Sequence, residues 1–163
     1  MRLLHGSNIE IFQPDLVKCQ SMNDFGRGFY LTSQWQRAYL MAKRRAGRDG
    51  GEPVVNPFLY YPSSAQGHGL KVKEFKGFSA EWSKIVILHR TDESFSHDYD
   101  IVIGPVADAF VDKEIERHKQ RYGIHYLDTE ALLDFAERVS QFGSKYRQYC
   151  FCTERALKEL IRE

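Results

Sequence analysis

Two periodicities run through this chain. Apolar and β-branched residues cluster in short runs at residues 3–5, 28–32, 54–61, 70–75, 100–104 and 148–152, with glycine, proline or small polar residues between them. Such runs read as strands. Between them, apolar residues recur at helical spacing: Trp35, Ala38, Met41 and Ala42 in residues 34–45, and Trp82, Ile85, Val86 and His89 in residues 79–90. Residues 85–88 also suit a strand, but helix is the preferred reading there. Residues 108–121 form a polar helix that should be exposed, and residues 127–139 an amphipathic one with Asp128 or Thr129 as its cap. A closing helix is expected from Thr153 through Ile161, with Ala156, Leu157, Leu160 and Ile161 on its buried side.

Runs 54–61 and 70–75 flank Pro62, Ser63, Ser64, Gly67 and Gly69, which suggests a long hairpin. Residues 100–104 are apolar at nearly every position and end in Gly104-Pro105, the pattern of a strand covered on both faces. Strands from residue 3 to residue 152, interleaved irregularly with helices, imply an α+β domain whose sheet is assembled from both ends of the chain.

Composition narrows the setting. At 163 residues the chain has the length of one domain, and 42% hydrophobic, 13% aromatic and 28% charged residues describe a folded globular protein. A formal net charge of +1 supplies no whole-molecule field toward nucleic acid or anionic lipid. No run has the length of a signal peptide or the ~20 apolar residues of a membrane span, so a cytoplasmic location is expected and no membrane partner. Cys19, Cys150 and Cys152 are an odd number, and a Cys-x-Cys pair is poor geometry for a structural disulfide. Reduced thiols are expected; the spacing of the other residues offers no zinc ligand set.

The candidate chemistry begins at His5-Gly6-Ser7, where a strand end presents an imidazole, a glycine backbone and a hydroxyl together. Nicotinamide carries a carboxamide and an aromatic ring, so a site for it needs paired backbone hydrogen bonds and a flat side chain to stack on. Tyr30 qualifies as that side chain. It follows Asp24-Phe25-Gly26-Arg27-Gly28-Phe29, whose glycines permit close approach of backbone and ligand.

His-Gly-Ser followed by Gly-x-Gly-Phe-Tyr-Leu-Thr resembles the paired signature of the poly-ADP-ribose-polymerase and diphtheria-toxin branch of ADP-ribosyltransferases. More narrowly, Leu4-His-Gly-Ser7, residues 24–32, Trp82, residues 99–108 and Gln148-Tyr-Cys-Phe151 together resemble a bacterial ADP-ribosyltransferase-like family catalogued as domain of unknown function 3990. The resemblance covers almost the whole chain. It implies a split β-sheet core with flanking helices and NAD as cosubstrate. It also implies that His5 holds a ribose hydroxyl, Gly6 clamps the carboxamide, Ser7 assists and Tyr30 stacks on nicotinamide. The third signature position, usually Glu, falls on Gln148.

That departure has a chemical meaning. Cleaving the N-glycosidic bond of NAD leaves positive charge on the ribose, which a carboxylate stabilises and an amide does not; losing one such contact typically costs ~10²–10³ in rate. Glu154 shares strand parity with Gln148 and is a second candidate for the missing carboxylate, although it also suits a first helical turn. Arg27 is suited to a pyrophosphate, and Gly28, Asp24 and Asp108 lie in matching segments as pocket candidates. Lys43, Arg44, Arg45 and Arg48 suit either a patch for a nucleic-acid substrate or, the preferred reading, the ordinary cations of a helix C-terminus, and His68, His89, His97, His118 and His125 are read as loop or surface residues.

The expected function is an NAD-dependent mono-ADP-ribosyltransferase, toxin-like, acting on a protein or nucleic-acid acceptor, with a small helical antitoxin as a possible partner. The alternative is a catalytically idle module that binds NAD or ADP-ribose.

Overall fold

Seven strands form one sheet in the computed structural model, which describes residues 1–163 apart from the side chain of Lys145. In chain order they are β1 (Arg2–Ser7), β2 (Phe29–Thr32), β3 (Val54–Tyr60), β4 (Val72–Glu74), β5 (Ile101–Val106), β6 (Ser144–Phe151) and β7 (Leu160–Arg162). Their order across the sheet is β4-β5-β6-β2-β1-β3-β7, so strands from both ends of the chain build it, with β6 pairing with β2, while β7 lies at the edge beside β3 rather than in the middle. Only β4 and β5 run parallel. Six helices flank the strands: α1 (Trp35–Asp49), α2 (Pro62–Gly67), α3 (Ala80–Thr91), α4 (Val111–Tyr122), α5 (Thr129–Ser140) and α6 (Glu154–Leu157). The fold is α+β.

Side-chain alternation sorts the strands onto two cores. Leu3, Phe29, Leu31, Phe58, Tyr60, Tyr149 and Phe151 cluster on one face with Ala65, Ala156 and Leu157 of α2 and α6. On the other face Val102 and Cys150 meet Trp82, Val86, Phe135 and Val139 of α3 and α5. Strand β5 sends Ile101 and Ile103 to the first cluster and Val102 to the second, which is why it reads as an unbroken apolar run.

The sheet is weakest in its middle. β1 and β3 are paired along six residues, but β1 and β2 share the single register pair Leu4 opposite Thr32. The half-sheets β4-β5-β6-β2 and β1-β3-β7 therefore part company beyond that pair. Helix α1 lies directly on β1: a Cβ built on Gly6 would stand 2.0 Å from the Ala38 carbonyl oxygen and 2.7 Å from Ala42 N. Glycine at 6 and alanine at 38 and 42 are what let helix and strand backbones touch.

Several expectations need correction. The closing helix from 153 to 161 stops after one turn; Thr153 does cap it, accepting from Ala156 N, but Leu160–Arg162 then pair with β3 as a strand. As a strand the segment buries Leu160 but leaves Ile161 exposed, against the expectation that both are buried, and the free edge of β3 decides the pairing. Runs 54–61 and 70–75 do not form a hairpin. β3 lies between β1 and β7, β4 lies beside β5, and helix α2 turns the chain between them. Residues 80–91 are helical, with Ser79 accepting from Trp82 N. Helix α4 begins at Val111 and is not wholly exposed, since Val111, Glu114, Ile115 and His118 are buried. His89 and His118 are likewise core residues rather than surface ones. No helix among the described residues is long and apolar enough to cross a membrane.

Candidate active site at the gap in the sheet

Hydrogen-bond phase decides what faces the gap. Met1 and Tyr60 exchange backbone hydrogen bonds, with Met1 N at 2.6 Å from Tyr60 O and Tyr60 N at 2.9 Å from Met1 O. In an antiparallel pair the backbone groups of successive residues point to alternate sides, so Leu3, His5 and Ser7 serve β3 while Leu4 and Gly6 turn toward β2. The β1–β2 register stops at Leu4. The N–H and C=O of Gly6 consequently face the gap between the half-sheets, opposite Tyr30.

His5 bridges that gap. Its Nδ1–H donates to the Tyr30 carbonyl at 2.7 Å, and its ring stacks on Phe29 with centroids 4.2 Å apart. Burial lowers its pKa to about 4, against the opposing pull of the Tyr30 carbonyl, with the charge of Arg45 lowering it further. The imidazole is thus neutral at physiological pH, protonated on Nδ1, with Nε2 as an acceptor. Ser7 closes β1 as a buried residue on the His5 side of the strand.

Tyr30 lies on the other face. Its hydroxyl donates to Gly26 O at 2.8 Å and accepts from Phe25 N at 3.0 Å, so the ring is tied to the loop that precedes β2. Gln148 shares this face, because Leu4, Thr32 and Gln148 stand opposite one another in a lateral row across β1, β2 and β6. Two strand spacings, about 10 Å, separate Gln148 from β1. The structure therefore brings Tyr30 and Gln148 onto one side and leaves the His5 ring on the other, in contact with Tyr30 only through its backbone.

The Gln148 amide is oriented without ambiguity. Its nitrogen donates to Asp24 Oδ2 at 2.7 Å and to Pro105 O at 3.3 Å, both pure acceptors, so Oε1 points away from them. Asp24 is 3% exposed and fully engaged. Its Oδ1 takes Arg90 Nε at 3.0 Å and Nη2 at 2.7 Å, and its Oδ2 also takes Ala107 N at 3.0 Å. Arg90 in turn reaches Asp112 at 3.2 Å.

A family model described as Protein of unknown function (DUF3990) matches residues 1–161. The chain belongs to this family. No curated protein and no solved structure matches it.

The other sequence candidates of this DUF3990 chain are dispersed. Arg27 is exposed at a cavity beside His89, His97 and Cys152. Gly28 is a packing glycine, since a Cβ there would stand 2.3 Å from Cys150 Sγ. Glu154 is exposed in the first turn of α6, and β6 ends at Phe151, so strand parity with Gln148 does not reach it. Asp108 adopts a left-handed backbone, φ 72°, and its carboxylate accepts from Ala109 N at 2.7 Å. Sequence reasoning placed Asp24 in a candidate loop but missed its partner Arg90. A cation on the apolar face of α3, one residue after buried His89, was the available signal. It also missed the pairing of Cys152 with His97, 55 residues apart.

Proposed function

We propose that this protein is an NAD-dependent mono-ADP-ribosyltransferase of toxin-like character, built on an ADP-ribosyltransferase-like split sheet. The observation that carries this reading is the backbone of Gly6 turned into the gap, because one N–H and one C=O on a single residue match the complementary pair of a carboxamide. NAD supplies the ADP-ribosyl group and a nicotinamide leaving group. Toward it, Gly6 offers both carboxamide bonds, neutral His5 accepts a ribose hydroxyl at Nε2, and Tyr30 borders the same opening. Gln148, on the opposite face of the sheet from the His5 ring, supplies an amide that brings no charge to offset that developing on the ribose. Turnover is accordingly slow and limited to single transfers onto a protein or nucleic-acid acceptor. A small helical antitoxin is the partner this role calls for.

The test is nicotinamide release. Purified protein incubated with NAD and cell lysate should release nicotinamide and leave ADP-ribose on an acceptor identifiable by mass spectrometry, while the His5→Ala protein should not. Equal release from both proteins would overturn the transferase reading.

One observation favours a second reading, a module that binds NAD or ADP-ribose without turning it over. Asp24, the carboxylate bonded to Gln148, has both oxygens occupied by Arg90, Ala107 and Gln148, so no charge is left for the ribose. Calorimetric NAD binding without nicotinamide release selects this alternative.

A further inference from the structure

Strand β6 carries chemistry that the NAD reading does not use. Cys150, on β6, and Cys152, one residue past its end, pack against the same core, and their sulfurs stand 3.3 Å apart. Cys150 is fully buried, packed under Gly28, whereas Cys152 lines a cavity of about 300 Å³ with Arg27, His89, His97 and Tyr99. His97 is set beside the outer sulfur. Tyr99 N–H donates to its Nδ1 at 3.1 Å, so the ring proton resides on Nε2. That N–H points at the Phe25 carbonyl, 3.2 Å away, and at Cys152 Sγ, 3.9 Å away.

Two donors therefore converge on one sulfur in a solvent-reachable cavity, with a second thiol directly behind it. We propose that Cys152 and Cys150 form a thiol-exchange site for low-molecular-weight disulfides of the glutathione class, in which Cys152 attacks and Cys150 resolves. The inference stands on this geometry and is independent of NAD. Hydrogen bonds from the Cys150 thiol and then from His97 lower the Cys152 pKa against desolvation, while burial pushes the Cys150 thiol well up. This division of labour suits an attacking thiolate and a protonated resolving thiol.

The Cys152 thiolate forms a bond to one sulfur of the small disulfide, whose S–S bond breaks and releases the first thiolate. That thiolate takes the proton of Cys150, and the Cys150 sulfur then attacks Cys152 and expels the second thiolate. The small disulfide is reduced to one thiol and one thiolate, and the protein pair is oxidised to a disulfide. A Cys-x-Cys bridge holds its two residues at the long end of disulfide geometry, so the product remains readily reducible.

Oxidised glutathione is the probe, applied to the full chain at pH 7 and followed by intact mass and peptide mapping. The parent should lose two hydrogens, mapped to the peptide holding both residues. Cys150→Ser should arrest with one glutathionyl group on Cys152, and Cys150→Ala provides the same readout if the serine variant misfolds. Iodoacetamide should label Cys152 at least about tenfold faster than Cys19, whose thiol is pushed up by its own burial, and His97→Phe should erase most of that advantage. Three results overturn the proposal: glutathionyl uptake at Cys19 as fast as at Cys152, no bridge in the parent, or a Cys150→Ser protein that accumulates no adduct.

Discussion

Asp24→Asn is the most informative single change, because Asp24 holds together the loop before β2, helix α3, the end of β5 and Gln148. In the parent its two oxygens accept four hydrogen bonds, from Arg90 Nε, Arg90 Nη2, Ala107 N and Gln148 Nε2. Asparagine removes the charge that offsets Arg90 and turns an NH₂ toward groups that are all donors. Breaking a buried pair from one side costs about 3–5 kcal/mol. Arg90, 22% exposed in its side chain, keeps Asp112 at 3.2 Å, which places the expected loss near the lower figure. For a chain of this length each kcal/mol shifts Tm by roughly 2–4 °C, so a loss of about 3 kcal/mol lowers Tm by roughly 6–12 °C. There is a second consequence. If the new NH₂ occupies the Oδ2 position, the Gln148 amide must flip, Oε1 turns inward, and nicotinamide release falls further than stability explains. Differential scanning calorimetry on the single variants Asp24→Asn and Arg90→Met and on their double gives the coupling directly. A Tm drop below about 3 °C, or additive single variants, would show that Asp24 and Arg90 are not coupled in this way.

Gln148→Glu sets a carboxylate 2.7 Å from the position of Asp24 Oδ2 and raises its own folded pKa. The stability gap from the parent should be small at pH 4 and widen as pH rises through 7, and a pH-independent gap in urea midpoints counts against it. Gly6→Ala drives a Cβ into the Ala38 carbonyl at 2.0 Å and should cost about 1–3 kcal/mol through displacement of α1. An unchanged Tm would show that α1 moves freely. His5 and His89, each lowered to about 4 by burial, bind fewer protons folded than unfolded between pH 4 and 6.5. Stability should be highest above pH 6.5 and fall as pH approaches 4. His89→Leu should flatten part of that slope, and urea midpoints measured across the window decide it.

Much of the scaffold was legible in residue order. Strands at the start of the chain, after Gly28, at residues 100–104 and at 148–152 announced themselves through apolar runs and glycine boundaries, although β6 begins four residues earlier, at Ser144, and Ser79 and Thr153 were correct caps. What failed was partner choice. Leu160 and Ile161 fit a helix and a strand equally by pattern, and runs 54–61 and 70–75 carry no mark of belonging to opposite edges of the sheet. His118 and His89 looked like surface residues because a histidine is polar, yet His118 Nε2 meets the Tyr126 carbonyl at 2.7 Å inside the core. Within the site, residue types 5, 6, 7, 30 and 148 could be singled out, but not that His5 and Gln148 leave the sheet on opposite faces.

Residue order carries the local chemistry: which segments are extended or helical, and where a glycine is needed. Tertiary structure alone decided that Gln148 is turned by Asp24, that Asp24 is held by Arg90, and that Cys152 meets His97. Those contacts span 124, 66 and 55 residues. The physical reason is that a strand's side-chain period and a helix's caps are encoded within a few neighbours. Hydrogen-bond partners across a sheet are instead selected by which edges remain free and which buried polar groups need partners once the whole chain has closed.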